Sequence, residues 1–289
     1  MTSPFARPCR IEPAEWEARV QLAAAYRIFD MLGWTELIYN HLSLRVPGEV
    51  SPLADASRRP PPGGGVSARE RPVADTSHFL INPFGLHYRE VTASNLVKVD
   101  VQGRVVGHSD WPINPAGFTF HGAIHATLPE AHCVMHVHTT PTMAVCCLED
   151  GLSFTNFYAA QLWGQVAYHD FEGITVHLDE GQRILASATV PGGPGEPARV
   201  APVLLLRNHG PVIIGHSLPQ AFGLMWLVQR ACEVQLASMA MGACRAIPVP
   251  VMERCVRDSL NFNPNFGAGQ DVFDAMQRQV DAIDPSYRR

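Results

Sequence analysis

AGFTFHGAIHATLPEAHCVMHVHT, residues 116–139, is the stretch on which the reading of the fold turns. Its first half has helical spacing: Phe120, Ile124 and Leu128 recur every fourth residue and make one apolar row. Pro129 ends it, because proline lacks a backbone donor and clashes with the preceding turn. The second half, residues 133–138, reads as a strand. Residues two apart on a strand share a face, so His136 and His138 project together with Val134. Cys133, Met135 and Val137 point the other way. A helix fed directly into a strand that is apolar on one face predicts layered α/β structure.

The neighbouring segments extend that pattern. Upstream, residues 14–32 form a helix between Pro13 and Gly33, with Val20, Ala24, Ile28 and Met31 in one stripe. Residues 41–46 alternate polar and apolar, as a half-buried strand does, and 78–82 form another. Between them, residues 51–77 carry Pro60-Pro61-Pro62-Gly63-Gly64-Gly65 and read as a mobile surface loop. Pro83-Phe84-Gly85 is a turn, 91–99 a short helix or turn, and 99–106 a hairpin about Gln102-Gly103. Downstream, 140–148 is helical, 173–178 a strand and 180–188 a helix. A second soft loop spans 191–199. Strands at 203–207 and 212–214 flank the turn Asn208-His209-Gly210-Pro211, and 218–242 is a long amphipathic helix capped by Ser217. Residues 12–246 thus read as a single α/β domain, and the polar residues 247–289 as a partly ordered C-terminal tail.

Composition excludes several functions. The 289 residues are 46% hydrophobic and 17% charged, an ordinary balance for a globular chain. Net charge is −5 with no Lys/Arg block, which argues against nucleic acid or acidic membrane as a partner. The longest apolar runs, 203–206 and 211–214, are too short to span a bilayer, and residues 1–10 carry no signal-peptide pattern. Seven cysteines, an odd number without a C-x-x-C, read as reduced thiols of a cytoplasmic protein.

The chemistry lies in the thirteen histidines. His136 and His138 are spaced so that two imidazoles reach one ion, and His209 stands at the end of a second apolar strand. Three neutral imidazoles with an open fourth position describe a catalytic rather than a structural zinc site. A lone H-x-H pair also arises as hydrogen-bonded core residues. A cupin would place a glutamate soon after His138, but the next acid is Glu149; the H-E-x-x-H of zincins is absent. His121 and His125, one helical turn apart, share a face with Gly117. They read either as acid–base groups or as residues of helix–sheet packing. His132, His169, His177 and His216 have no partner spacing.

The string from His121 to Thr139, with Leu204-Leu205-Leu206-Arg207-Asn208-His209-Gly210, resembles the class II aldolase/adducin family, most of all its bacterial adducin-like branch. Gly33-Trp34, Tyr39-Asn40-His41-Leu42-Ser43 with Arg45, and the stretch 79–88 support the match, which covers residues 15–245. The resemblance implies a single-domain α/β/α sandwich around a mainly antiparallel sheet. It also implies a divalent ion on His136, His138 and His209, with zinc favoured and Fe2+, Mn2+ or Co2+ compatible. A homotetramer acting on a small-molecule substrate completes the implied picture, with Tyr158 near the position of the family's catalytic tyrosine.

The departures narrow the expected reaction. Family aldolases have a glutamate four residues before the helical histidine, where this chain has Gly117. Their phosphate-holding Ser-Ser pair reads Pro115-Ala116, and the Thr-Gly of the second phosphate loop reads Phe84-Gly85, although Asn40 survives. Phosphate needs several donors, and Pro115 lacks even a backbone N–H. The expectation is therefore a metal-dependent carbon–carbon lyase, a retro-aldolase or decarboxylase, on an unphosphorylated carbonyl or carboxylate compound. Asn40 and Gly85 would contact substrate, and His121, His125 or Tyr158 would move the proton. The alternatives are an Fe(II)-dependent oxygenase on an aromatic acid and a non-catalytic, adducin-like interaction module.

Overall fold

The computed structural model describes residues 8, 10–48, 77–190, 198–260, 263 and 265–289. The expected loop at 51–77 lies outside the described residues except for Ser77, and that at 191–199 except for its last two residues. In chain order the elements are α1 (Pro13–Met31), β1 (His41–Arg45), β2 (His78–Ile81), β3 (Val97–Asp100), α2 (Pro115–Thr127), β4 (Cys133–His136), α3 (Thr140–Cys146) and α4 (Phe157–Ala160). There follow β5 (Val166–His169), α5 (Leu178–Ser187), β6 (Thr189–Val190), β7 (Arg199–Val200), β8 (Val203–Leu206), β9 (Gly210–Gly215), α6 (Leu218–Met239), α7 (Val249–Asp258) and α8 (Gln270–Ile283). Single 3-10 turns sit at Tyr88–Glu90 and Pro285–Arg288.

Seven of the described strands form one sheet in the order β3-β2-β1-β4-β9-β8-β5, antiparallel throughout except for the edge pair β5–β8. The period-two alternation of each strand divides its side chains between two cores. Leu42, Leu44, Cys133, Met135, Leu205 and Ile213 face one way and pack under α1, α3, α6 and α8. Val134, Leu204, Val212 and Ile214 face the other, under Phe120 and Ile124 of α2 and Ile184 of α5. The result is the expected α/β/α sandwich on a mainly antiparallel sheet. Tyr26 pins α1 to the sheet: its buried hydroxyl lies 2.5 Å from the Leu42 carbonyl oxygen and accepts the Leu42 amide at 2.8 Å.

Two expectations need correction. Residues 173–178 alternate like a strand, but only their last residue is in a regular element, the first turn of α5, and Ile174 is 79% exposed. The free side of β8 is taken instead by Val166–His169, which pairs with it in parallel. The region beyond 246, expected as a partly ordered polar tail, contains α7 and α8. Phe273, Met276 and Val280 form a sparse apolar row on α8 that polar neighbours hide in the composition. That row reaches the main core, where Phe273 meets Phe222 edge-on at 5.9 Å. The amides of Ala93 and Ser94 then donate to the carbonyls of Tyr287 and Arg289 at 2.8 and 2.9 Å. Among the described residues six cysteines are free thiols.

Phe273 is 1% exposed, so its truncation leaves a cavity between α6 and α8. Phe273→Ala is expected to destabilise the protein by about 3–5 kcal/mol in urea unfolding. A loss below ~1 kcal/mol would show that α8 does not belong to the core.

Candidate metal site

His136 ends β4 on the face that looks toward α2, and His138 follows two residues later. His209 reaches them from the β8–β9 turn, where Asn208 takes a left-handed conformation (φ 57°) and its amide donates to the Cys146 carbonyl at 3.1 Å. Gly210 makes the close approach possible: a Cβ there would stand 2.5 Å from the Val137 carbonyl oxygen. One ring nitrogen from each of His136, His138 and His209 lies within 4.8 Å of the others. His136 Nδ1 donates to the Pro211 carbonyl oxygen at 2.9 Å, so its Nε2 turns toward His138 Nε2 at 2.7 Å. A backbone carbonyl on the far nitrogen is the usual device for fixing the tautomer of a metal-binding imidazole. Burial pulls His136 well below the ordinary histidine range and His209 down to about 4, so the triad presents neutral donors at pH 7. Neutral nitrogen donors of this kind fit a borderline divalent ion.

Sequence reading missed one member of this cluster. β1 pairs with β4 so that His41 sits directly opposite His136, and the two rings stack at 5.0 Å. His41 Nδ1 lies 2.9 Å from His121 Nε2, and His121 Nδ1 lies 2.6 Å from Ser43 Oγ. Ser43 Oγ is in turn 2.7 Å from His125 Nε2, while His125 Nδ1 donates to the Ala131 carbonyl at 3.0 Å. Both ring nitrogens of His121 and of His125 are therefore engaged inside the protein. The signal was present: His41 and Ser43 share a strand face, and the His121/His125 pair needed polar partners. The alternation of β1 had been read as solvent on its polar side, whereas all five of its residues are buried.

Gly117 lies where that cluster is tightest. A Cβ on Gly117 would stand 2.5 Å from His41 Cδ2 and 2.8 Å from its Nε2, so the imidazole fills the place of a side chain at 117.

The other expected residues are more scattered. Asn40 is buried, with Nδ2 donating to the Trp34 carbonyl at 3.1 Å, and its Oδ1 has no partner among the described residues. Gly85 (φ 107°) lies in the turn after β2, beside the Trp111 ring. Tyr158 on α4 stands beside the Arg230 guanidinium, 5.6 Å from its ring centroid, and neither ring contact nor hydrogen bond joins it to the histidines among the described residues. A pocket of about 320 Å3 opens beside His138, lined in part by Trp34, Glu36, Thr139, Gln229 and Glu233.

Alanine at 117 gains about 1 kcal/mol of helix propensity, but the overpacking against His41 costs about 1–3 kcal/mol. Gly117→Ala is therefore expected to lower the stability of the metal-free protein. A stabilised variant would mean that His41 moves aside freely.

Residues 20–236 match the class II aldolase and adducin N-terminal domain. A solved aldolase II superfamily protein from Pseudomonas syringae is 34% identical, with a TM-score of 0.78, over 97% of this chain and 98% of its own. L-fuculose 1-phosphate aldolase from Glaciozyma antarctica PI12 is 23% identical with a TM-score of 0.73, over 99% and 98% of the two chains, and shares the fold. Alpha-adducin of Rattus norvegicus is 41% identical over 77% of this chain, a match that spans 26% of adducin. With its seven-stranded sheet, its helices α2 to α5 and its histidine cluster inside the matched residues 20–236, the chain belongs to the class II aldolase/adducin family.

Proposed function

We propose that this chain is a divalent-metal-dependent carbon–carbon lyase acting on a small, unphosphorylated carbonyl or carboxylate compound, by retro-aldol cleavage or decarboxylation. The observation that carries it is the set of three converging imidazoles, His136, His138 and His209. A bound ion, zinc for preference and Fe2+, Mn2+ or Co2+ as compatible alternatives, would stabilise negative charge developing on adjacent substrate oxygens.

The protein's own groups support the rest of the reading. Pro211 holds His136 in the tautomer that presents Nε2. The pocket beside His138 offers room for a small molecule, with Glu36 on its wall. At the start of α2, Asn114 Oδ1 already accepts the Ala116 amide at 3.0 Å, and Pro115 has no N–H, so that helix end has little to offer a phosphate. Small unphosphorylated substrates follow from that poverty of donors. Asn40 and Gly85 remain proposed substrate contacts, and Tyr158 a proposed proton-transfer group that would have to act from another subunit.

Assembly as a homotetramer in the cytoplasm belongs to the same proposal. Tyr39, Trp111 and Phe157 are exposed and would be covered by it. Among the described residues no helix is long and apolar enough to cross a membrane. A second reading, a non-catalytic interaction module, is favoured by the similarity to alpha-adducin. The three aligned donor histidines distinguish the readings, because an interaction surface has no need of them.

The purified protein is expected to carry close to one divalent ion per chain by mass spectrometry. His136→Ala should reduce that content at least about tenfold, as loss of one of three ligands implies. Turnover in a screen of hydroxy-keto acids and aromatic carboxylates should fall with it. Near-zero metal in the wild-type protein would instead favour the interaction module.

A further inference from the structure

Within the buried chain of His41, His121 and His125, His41 is the ring whose second nitrogen is left over among the described residues. Its Nδ1 faces His121, and no hydrogen bond is found at its Nε2 among the described residues. Gly117 lies against that ring, a Cβ there standing 2.5 Å from Cδ2 and 2.8 Å from both Cγ and Nε2, and the ring stacks on His136 at 5.0 Å.

The direction of every hydrogen bond behind it follows from one carbonyl. The Ala131 oxygen only accepts, so His125 Nδ1 carries a hydrogen. His125 is fully buried next to the Arg45 guanidinium, which donates to the His125 carbonyl; a second positive charge there is strongly disfavoured. His125 Nε2 is therefore bare and accepts the Ser43 hydroxyl hydrogen at 2.7 Å. A hydroxyl has one hydrogen, so the 2.6 Å contact on its other side must be donated by His121 Nδ1. His121 is fully buried and neutral, which leaves its Nε2 to accept from His41 Nδ1–H at 2.9 Å. Each ring along the chain has the same tautomer, and the last one ends in a lone pair.

We infer that His41 contacts the substrate, its bare Nε2 accepting a hydrogen bond from a substrate hydroxyl, while Ser43, His121, His125 and the Ala131 carbonyl are positioning groups that fix its tautomer. The inference rests on the lyase reading and narrows its substrate to hydroxyl-bearing carbonyl compounds. A carboxylate or phosphate oxygen at that point would set lone pair against lone pair, whereas a hydroxyl has the hydrogen to give. The glycine at 117 is then part of the same arrangement, since any Cβ would displace the ring that bears the acceptor.

The test uses zinc-loaded protein labelled with 15N in its histidines. Two-bond 15N–1H correlation spectra should show the Nδ1–H tautomer at His41, His121 and His125. Hydroxyacetone should shift the His41 Nε2 resonance, and acetone, which lacks the hydroxyl, should not. Ser43→Ala should scramble the His41 tautomer and weaken hydroxyacetone binding about tenfold, the worth of one hydrogen bond, with zinc content unchanged. Ser43→Thr, which keeps the hydroxyl, should restore both. An Nε2–H tautomer at His41 in the wild-type protein, or equal responses to hydroxyacetone and acetone, would overturn the inference. Metal content of the protein as purified, before zinc is added, tests the lyase reading separately, because the tautomers report on the hydrogen-bond chain whether or not zinc is held.

Discussion

A polar layer buried between the sheet and helix α2 has to satisfy its own hydrogen bonds, because each one left unmade costs about 1–3 kcal/mol. Here that layer consists of His41, Ser43, His121, His125 and His136, all at most 3% exposed. One chain meets most of the demand, running from the Ala131 carbonyl through His125, Ser43 and His121 to His41 Nδ1, while the Pro211 carbonyl and His138 engage His136. Such a network tolerates few alternatives. It sets the register of β1 against β4, the rotation of α2 about its axis and the rotamers of the rings together. The apolar contacts of Phe120 and Ile124 hold the same helix down from the neighbouring row.

The candidate metal triad stands beside that layer. His136 belongs to both systems: it stacks on His41 and converges with His138 and His209. Its own orientation comes from the Pro211 carbonyl, supplied by the next strand of the sheet. The triad thus draws its ligands from β4 and the β8–β9 turn, while the groups behind it come from β1 and α2. His136 is held within its strand, while His138 follows the end of β4 and His209 sits in the turn before β9. His138 and His209, only partly buried, face the open side where a small molecule could arrive.

Much of this was legible in the chain itself. The period-two alternation placed His136 and His138 on one face, and the fourfold spacing placed His121 and His125 on another. The order of strand and helix signals pointed to one α/β domain, and the family resemblance to a sandwich. The readings that failed did so where a local pattern was ambiguous about its partner. Residues 173–178 alternate as well as β1 does, yet β8 is already paired on both sides, by β9 and β5. The apolar row of α8 is too sparse to stand out from its polar neighbours, although Phe273 is fully packed. His41 looked like the solvent side of an amphipathic strand, because alternation separates two faces without saying which of them meets water.

Sequence alone determined what residues two or four apart decide: which histidines share a face, where helices stop, and that the donors suit a divalent ion. Those are consequences of backbone periodicity, and they need no distant contact. Tertiary structure decided what depends on residues far apart in the chain. It set His41 opposite His136 across ninety-five positions of sequence, put Ser43 between two histidines of α2, and filled the space above Gly117 with an imidazole instead of a carboxylate. Strand register and helix rotation are fixed by the packing of the whole core, and no local spacing encodes them.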